Sequence, residues 1–235
     1  MLAIRGLTVD IQASRILHDV RLEVGERELA CLVGRNGAGK TTTLRTVMGY
    51  LRPTAGTIVF KGRSLVGLPT HTIAALGVGF SPEESEIFGN LTVAENIELA
   101  TWVRQTGRPA AERIERAYGV FPGLRRYAAR GGTQLSGGER KMLSVARALA
   151  LDPELLLLDE PFEGLAPAIV PAISASIAEI TRLGHSILLA ESNIHHVPEH
   201  TNRVYVIERG EIIFQGTRDE VQHDQVALSV IGGSV

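Results

Sequence analysis

Leu2 to Asp10 alternates apolar and polar residues, the period of a half-buried strand. A second alternation, Val20-Arg-Leu-Glu-Val24, runs into Gly25-Glu26, a turn signal. Leu29 to Val33 is instead a short unbroken apolar run, which suits a strand covered on both faces in a parallel sheet. Glycines follow it. The spacing then predicts a helix from Lys40 to Met48, with Gly49 as its C-terminal stop. Gly56 to Phe60 and Gly77 to Phe80 are further strand segments, and the stretch from about Ile87 to Ala150 reads mostly as helix. Within it, Thr92-Val-Ala-Glu95 has the spacing of a reciprocal cap. Beyond Pro153 the alternation of strand and helix returns. Leu155 to Leu158 and Ile187 to Ala190 are buried strands on either side of a helix around Ile169 to Leu183. Val204 to Ile207 and Ile212 to Phe214 flank Glu208-Arg-Gly-Glu211 as a hairpin. No internal repeat or low-complexity tract interrupts the pattern. It predicts an α/β chain with a helical insertion, in one compact unit.

Composition narrows the class. Of 235 residues, 44% are hydrophobic and 21% charged, which excludes a disordered or fibrous chain. The net charge of −2 provides no chain-wide basic field, so nucleic acid is not an expected partner. The single cysteine, Cys31, excludes an intrachain disulfide and a cysteine-only metal cluster, and cytosol is the expected compartment. The longest uncharged stretch, Ser64 to Pro82, is broken by two prolines and three glycines, so no membrane span is expected. Nor does the N-terminus carry the apolar run of a secretory signal. Work at a membrane would therefore depend on a partner. Residues 101 to 130 hold seven arginines against two glutamates. That run is either a set of solvated helix faces with packing stems, or a face toward anionic headgroups or an acidic partner.

The chemistry begins after the third strand. Gly34-Arg35-Asn36-Gly37-Ala38-Gly39-Lys40-Thr41 fits the phosphate-loop pattern, a strand followed by Gly-x4-Gly-Lys-Ser/Thr. The glycines let backbone N–H groups turn inward around phosphate oxygens, and the next helix presents its positive N-terminus to the same anion. Lys40 is placed to reach the β- and γ-phosphates of a nucleotide, and the Thr41 hydroxyl to ligate Mg²⁺. Leu155-Leu-Leu-Leu-Asp159-Glu160 supplies a buried strand ending in two carboxylates. Asp159 is the candidate for the metal shell, and Glu160 for polarising an attacking water. A third element, Gln134-Leu135-Ser136-Gly137-Gly138-Glu139, precedes a helix. Ser136 and Glu139 have the spacing to cap it reciprocally. The two glycines at its first positions cost helix stability, which makes sense where a phosphate must approach bare backbone. A well-capped helix with flexible glycines is the other reading.

Together, in this order, these elements resemble the nucleotide-binding subunits of ABC transporters, over essentially the whole chain. Gly34 to Thr43 (with Thr42 in the phosphate loop), Ser81-Pro-Glu83, Leu91 to Asn96, Asp159-Glu-Pro-Phe-Glu-Gly-Leu-Ala-Pro167 and Ala190-Glu-Ser-Asn193 look like the LivF-type ATPases of branched-chain amino acid importers. A urea importer branch and a lipopolysaccharide export branch are close relatives. The resemblance implies a P-loop NTPase core over about 1–86 and 147–235, an N-terminal antiparallel β subdomain, and an inserted helical subdomain over about 87–146. It implies an ATPase using ATP and Mg²⁺, held at the inner face of the membrane by permease subunits. Leu135, Ser136, Gly137, Gly138 and Glu139 would be the signature facing the γ-phosphate on a second subunit, a paralogue or an identical copy arranged head to tail. Cargo would be branched-chain or related amino acids, with urea or an amide as the alternative.

Four positions depart from the family pattern. Ile11 stands near the usual adenine-stacking aromatic, leaving only dispersion contact with a base. Glu83 replaces a glutamine that contacts Mg²⁺ and water; a carboxylate can still ligate the metal, and it would also sense the permease. Glu83 is otherwise one solvated member of the cluster Glu83 to Glu86. Ser192 occupies the place of a histidine, or in this branch a glutamine, that touches the γ-phosphate. His195 or His196 would replace it only if the chain turned back. Ala166 stands where an aspartate is frequent. Lys40, Thr41, Asp159, Glu160 and Ser136 are kept, so hydrolysis is expected. A weakly hydrolysing regulatory subunit is the alternative.

Overall fold

The computed structural model describes residues 1–231, which fall into two compact units: 1–73 with 186 onward, and 74–185. The first unit holds two sheets. One is antiparallel, in the order β2-β1-β4-β5, from β1 (Leu2–Ile11), β2 (Ser14–Val24), β4 (Ala55–Phe60) and β5 (Arg63–Ser64). The other pairs β3 (Leu29–Val33) in parallel with β8 (Ser186–Glu191) on one side and β9 (Arg203–Glu208) on the other. β10 (Glu211–Gly216) is antiparallel at the β9 edge. Helix α1 (Lys40–Val47) follows β3, and the short α8 (Arg218–Val221) and α9 (Gln225–Ile231) follow β10. Every residue of β3 and of β8 is buried, as an unbroken apolar run in a parallel sheet requires.

The β1–β2 pair shows why the alternating pattern is legible in one half of β2 and not in the other. Leu2 and Ile4 are buried, and so are Leu7 and Val9. The three-residue step between Ile4 and Leu7 would turn one pair to solvent in a regular strand. A register shift between Ile4 and Leu7 absorbs it. The same break occurs opposite, between Leu17 and Val20, where Asp19 has φ +51. The spacing therefore shows only residues 20–24 as a strand, although β2 begins at Ser14. The expected hairpin near the C-terminus is present. Arg209 and Gly210 both have positive φ, +47° and +83°, the pairing that matches a two-residue loop to strand twist.

The second unit holds the parallel pair β6 (Val78–Ser81) and β7 (Leu155–Asp159), with Val78 to Ser81 opposite Leu155 to Leu158. Around them are α3 (Val93–Val103), α4 (Ala110–Val120), α5 (Pro122–Arg125), α6 (Gly137–Ala150) and α7 (Val170–Arg182). Both expected caps are in place. The Thr92 and Glu95 side chains each bond to the other's backbone N–H, as do those of Ser136 and Glu139. Helix α2 (Thr70–Ala75), at the division between the units, and β5 are additions that the spacing does not show. Among the described residues, no helix is long and apolar enough to cross a membrane.

Candidate functional site

In the first unit, β3 delivers the chain to Gly34 and α1 starts at Lys40, with Gly34 to Gly39 as a connecting loop. A Cβ on Gly34 would collide with the carbonyl oxygen of Ile207, so close packing on β9 demands glycine there. Gly39, the N-cap of α1, has φ +113, a conformation L side chains rarely adopt. Arg35, Asn36 and Gly37 are exposed at the loop's tip, whereas Ala38, Gly39 and Lys40 are buried and Thr41 and Thr42 half-buried. The β9–β10 turn braces the loop, since Gly210 N–H donates to the Ala38 carbonyl at 2.9 Å and the Gly210 carbonyl accepts His18 N–H at 2.8 Å. Lys40 lies back over its own loop, its Nζ donating to the carbonyls of Gly34 at 2.6 Å and Arg35 at 3.1 Å. An entering phosphate would compete with those carbonyls for the ammonium. Arg35 reaches outward to the end of α9, donating to the Val230 carbonyl at 2.7 Å and the Ser229 carbonyl at 3.0 Å.

The register of β3 on β8 places Ser192. Val33 lies opposite Glu191, and Gly34 N–H donates to the Glu191 carbonyl at 3.1 Å, so Ser192 stands beside the first residue of the loop. Of the nearby histidines, His196 turns its Nδ1 to the buried Glu191 carboxylate at 3.2 Å. His195 is exposed, its N–H capped by the Asn193 side chain at 2.9 Å. Ile11 sits at the exposed end of β1, in the β1–β2 hairpin.

In the second unit, β7 carries Asp159 and Glu160 into the interior, at 1% and 2% exposure. Glu160 adopts φ +47. For a residue other than glycine, a left-handed backbone costs about 1–2 kcal/mol. Next to β7, β6 runs out through Ser81 into Glu83, which is exposed. Two residues that the sequence reading does not single out complete this end. Glu163 lies near Glu160 and Glu83. Partial loss of water, followed by those two neighbouring charges, raises its pKa, and Lys141 opposes the rise. The signal for Glu163 is its place three residues after Glu160. Buried Lys141 donates its Nζ to the Glu83 carbonyl and, at 3.0 Å, to the Glu160 carbonyl. Its signal is a position in the same helical stripe as the buried Ser144, Val145 and Ala148.

The N-terminus of α6 belongs to the same unit. Leu135 is buried; Ser136 and Gly137 are exposed, with Gly138 and Glu139 half-buried. The Glu139 pKa is lowered, chiefly by the Ser136 N–H donating to its carboxylate at 2.7 Å. A Cβ on Gly137 would meet no atom within 4 Å, so packing alone does not demand glycine there. Bare, outward-facing N–H groups at a helix start can receive an anion.

A metal held by this chain would take oxygen. Each unit has hard oxygen donors of its own, the Thr41 hydroxyl on the first and the Asp159 carboxylate on the second. Glu83 adds a further carboxylate from the loop after β6.

Comparison with known proteins identifies the family. The ABC transporter family profile matches residues 17–163. The branched-chain amino acid transport ATP-binding protein BraG of Pseudomonas aeruginosa is 40% identical over 202 residues, covering 86% of each chain. The lipopolysaccharide export ATP-binding protein LptB of Haemophilus influenzae is 36% identical, over 99% of this chain and 97% of that one. A probable LivF of Archaeoglobus fulgidus is 33% identical over 99% of both. Among solved structures, a nucleotide-free ATP-binding cassette from an ABC transporter has the same fold, with a TM-score of 0.85 at 21% identity over 100% and 99% of the two chains. A dimeric post-hydrolysis cassette bound to ADP and phosphate gives 0.82 at 22% identity, over 93% and 99%. By its family match and its relatives over nearly its whole length, the chain belongs to the ABC transporter family, as an ATP-binding subunit with the P-loop ATPase fold.

Proposed function

We propose that this chain is the LivF-type ATPase subunit of an importer for branched-chain or related amino acids. The observation that carries the reading is the phosphate loop, with Lys40 buried at the start of α1 and its ammonium donating to the carbonyls of Gly34 and Arg35, acceptors that a phosphate can replace. Gly34 to Thr42 would cradle the phosphates of ATP, with Lys40 on the β- and γ-phosphates. Thr41, Asp159 and Glu83 would hold Mg²⁺. When bound, that ion screens phosphate charge and aligns the γ-phosphoryl group. Glu160 acts as the general base. Its carboxylate takes the proton of the water that attacks the γ-phosphorus, and ADP leaves with the bridging oxygen. Ser192, beside Gly34, offers a neutral hydroxyl where relatives use a larger donor. Ile11 offers a base only dispersion contact.

The signature, Leu135 to Glu139, would face the nucleotide of a second ATPase subunit, and residues 87–146 would form the helical subdomain. Permease subunits would hold the pair at the inner face of the membrane. Amino-acid cargo is supported by the Gly164-Leu-Ala-Pro167 ending, by Glu83, and by the likeness to BraG. The likeness to LptB favours a second reading, lipopolysaccharide export. Vesicles bearing this chain, its partner ATPase and permeases decide between them. ATP-dependent uptake of labelled leucine supports the proposal; no uptake, with extraction of lipopolysaccharide instead, refutes it.

A further inference from the structure

One face of α6 carries Lys141, Ser144 and Arg147, three residues apart and therefore on one side of the helix. All three reach the segment that follows β6. Lys141 Nζ donates to the Glu83 carbonyl, and the Ser81 hydroxyl donates to Ser144 Oγ at 2.9 Å. Arg147 donates to the Ser85 carbonyl at 3.4 Å and stands over the Phe88 ring, 5.3 Å from its centroid. Lys141 also reaches the other strand end, at the Glu160 carbonyl. A buried ammonium has to be matched by acceptors, and a carbonyl oxygen is an acceptor only. One carbonyl belongs to left-handed backbone, and the other lies two residues before such backbone. Glu160 has φ +47, and the chain from Glu83 passes through Ser85 and Glu86 at +65° and +40°.

We propose that Lys141 is a positioning residue for ATP hydrolysis: its one ammonium clamps the backbone of Glu160 to the loop carrying Glu83, which fixes the direction of the Glu160 carboxylate. The proposal rests on Glu160 being the general base. Without the clamp the left-handed turn at Glu160 is free to relax and carry the carboxylate with it. Misplacement by about 1 Å is enough to cost roughly 10²-fold in rate. The clamp also makes the pose of Glu160 depend on the 83–88 segment, so a partner that moves this segment would change turnover through Lys141.

The test uses the full chain assembled with its partner ATPase and permeases. Lys141→Met keeps the apolar stem and removes the ammonium. Turnover should fall about 10–100-fold, while ATP affinity, read by titration of a fluorescent analogue, stays within about threefold because Lys40 and the loop are untouched. Amides of Ser85, Glu86 and Glu163 should exchange faster with deuterium. Lys141→Arg keeps a cation and several donors, and should restore most of the turnover. If Met at this position prevents folding, Lys141→Gln takes its place with the same expected split. In the unaltered chain, mild acetylation should modify exposed Lys61 and spare Lys141. Normal turnover in Lys141→Met beside an inactive Glu160→Gln control overturns the proposal and leaves the base assignment standing. Parallel losses of affinity, turnover and thermal midpoint, without rescue by arginine, overturn it in favour of a purely structural lysine. Ready acetylation of Lys141 overturns it as well. Near-normal turnover in Glu160→Gln overturns the base assignment instead.

Discussion

Glu160→Gln should separate nucleotide binding from hydrolysis. Glutamine matches glutamate in size and hydrogen-bonding reach, so the buried position at 2% exposure is refilled without a cavity. The Lys141 bond goes to the backbone carbonyl of residue 160, so the substitution leaves the turn anchored. Only the charge and its basicity are lost. Losing a positioned general base typically lowers the rate by about 10²–10⁴. At about 1.36 kcal/mol per decade, that raises the barrier by roughly 2.7–5.4 kcal/mol. In the proposed site, binding would rely on Lys40 and the loop backbone, so affinity for ATP should hold. One fewer negative charge also weakens repulsion of the γ-phosphate, and the ATP-bound dimer should last longer. Single-turnover hydrolysis with the partner ATPase, together with dimer fraction by light scattering in ATP and Mg²⁺, measures both effects. Hydrolysis within about threefold of the unaltered chain would refute the reasoning, since it leaves less than about 0.7 kcal/mol for the carboxylate.

His185 should make stability fall on acidification. Its pKa is lowered from 6.5, first by burial, and its Nδ1 meets the Pro153 carbonyl at 2.6 Å. Nδ1 therefore carries the proton, and a second proton would go to buried Nε2, which has no hydrogen-bond partner among the described residues. The unfolded chain binds that proton more readily, so stability is full above about pH 6.5 and is lost as pH falls through the lowered folded value. Thermal midpoints between pH 7.5 and 5 should show a shallower decline in His185→Gln; an unchanged decline assigns it to other groups. Ser192→His should raise turnover of the assembled complex at nearly constant ATP affinity, by placing an oriented donor beside Gly34. Equal or lower turnover would show that the partner subunit or a neighbouring histidine already fills this role. ATP and GTP should bind with similar affinity, because aromatic stacking worth roughly 1–3 kcal/mol in nucleic-acid sites is not available from Ile11. A preference for ATP above about a hundredfold, some 2.7 kcal/mol, would mean that another side chain reads the base.

What the sequence determines here is what lies in contiguous residues. The phosphate loop and the reciprocal caps at Thr92 and Ser136 follow from local spacing, because their hydrogen bonds and φ values are set within a few residues, and the strands ending at Val33 and Asp159 are legible as unbroken apolar runs. The hairpin at Arg209-Gly210 belongs with them. The first half of β2 does not, because its buried face is defined only against β1, where paired register shifts cancel a broken alternation. The surroundings of the candidate site also depend on tertiary structure. Ser192 stands beside Gly34 through the register of β8 on β3, about 160 residues away in the chain. Lys141 reads as one more charge on an amphipathic helix until folding buries it and brings two carbonyls, 58 and 19 residues away, to its ammonium. Glu163 acquires its raised pKa only when folding strips part of its water and brings Glu160 and Glu83 near it. Local propensity specifies the elements. Desolvation and pairing across the fold decide which side chains share an environment, and that sharing determines their chemistry.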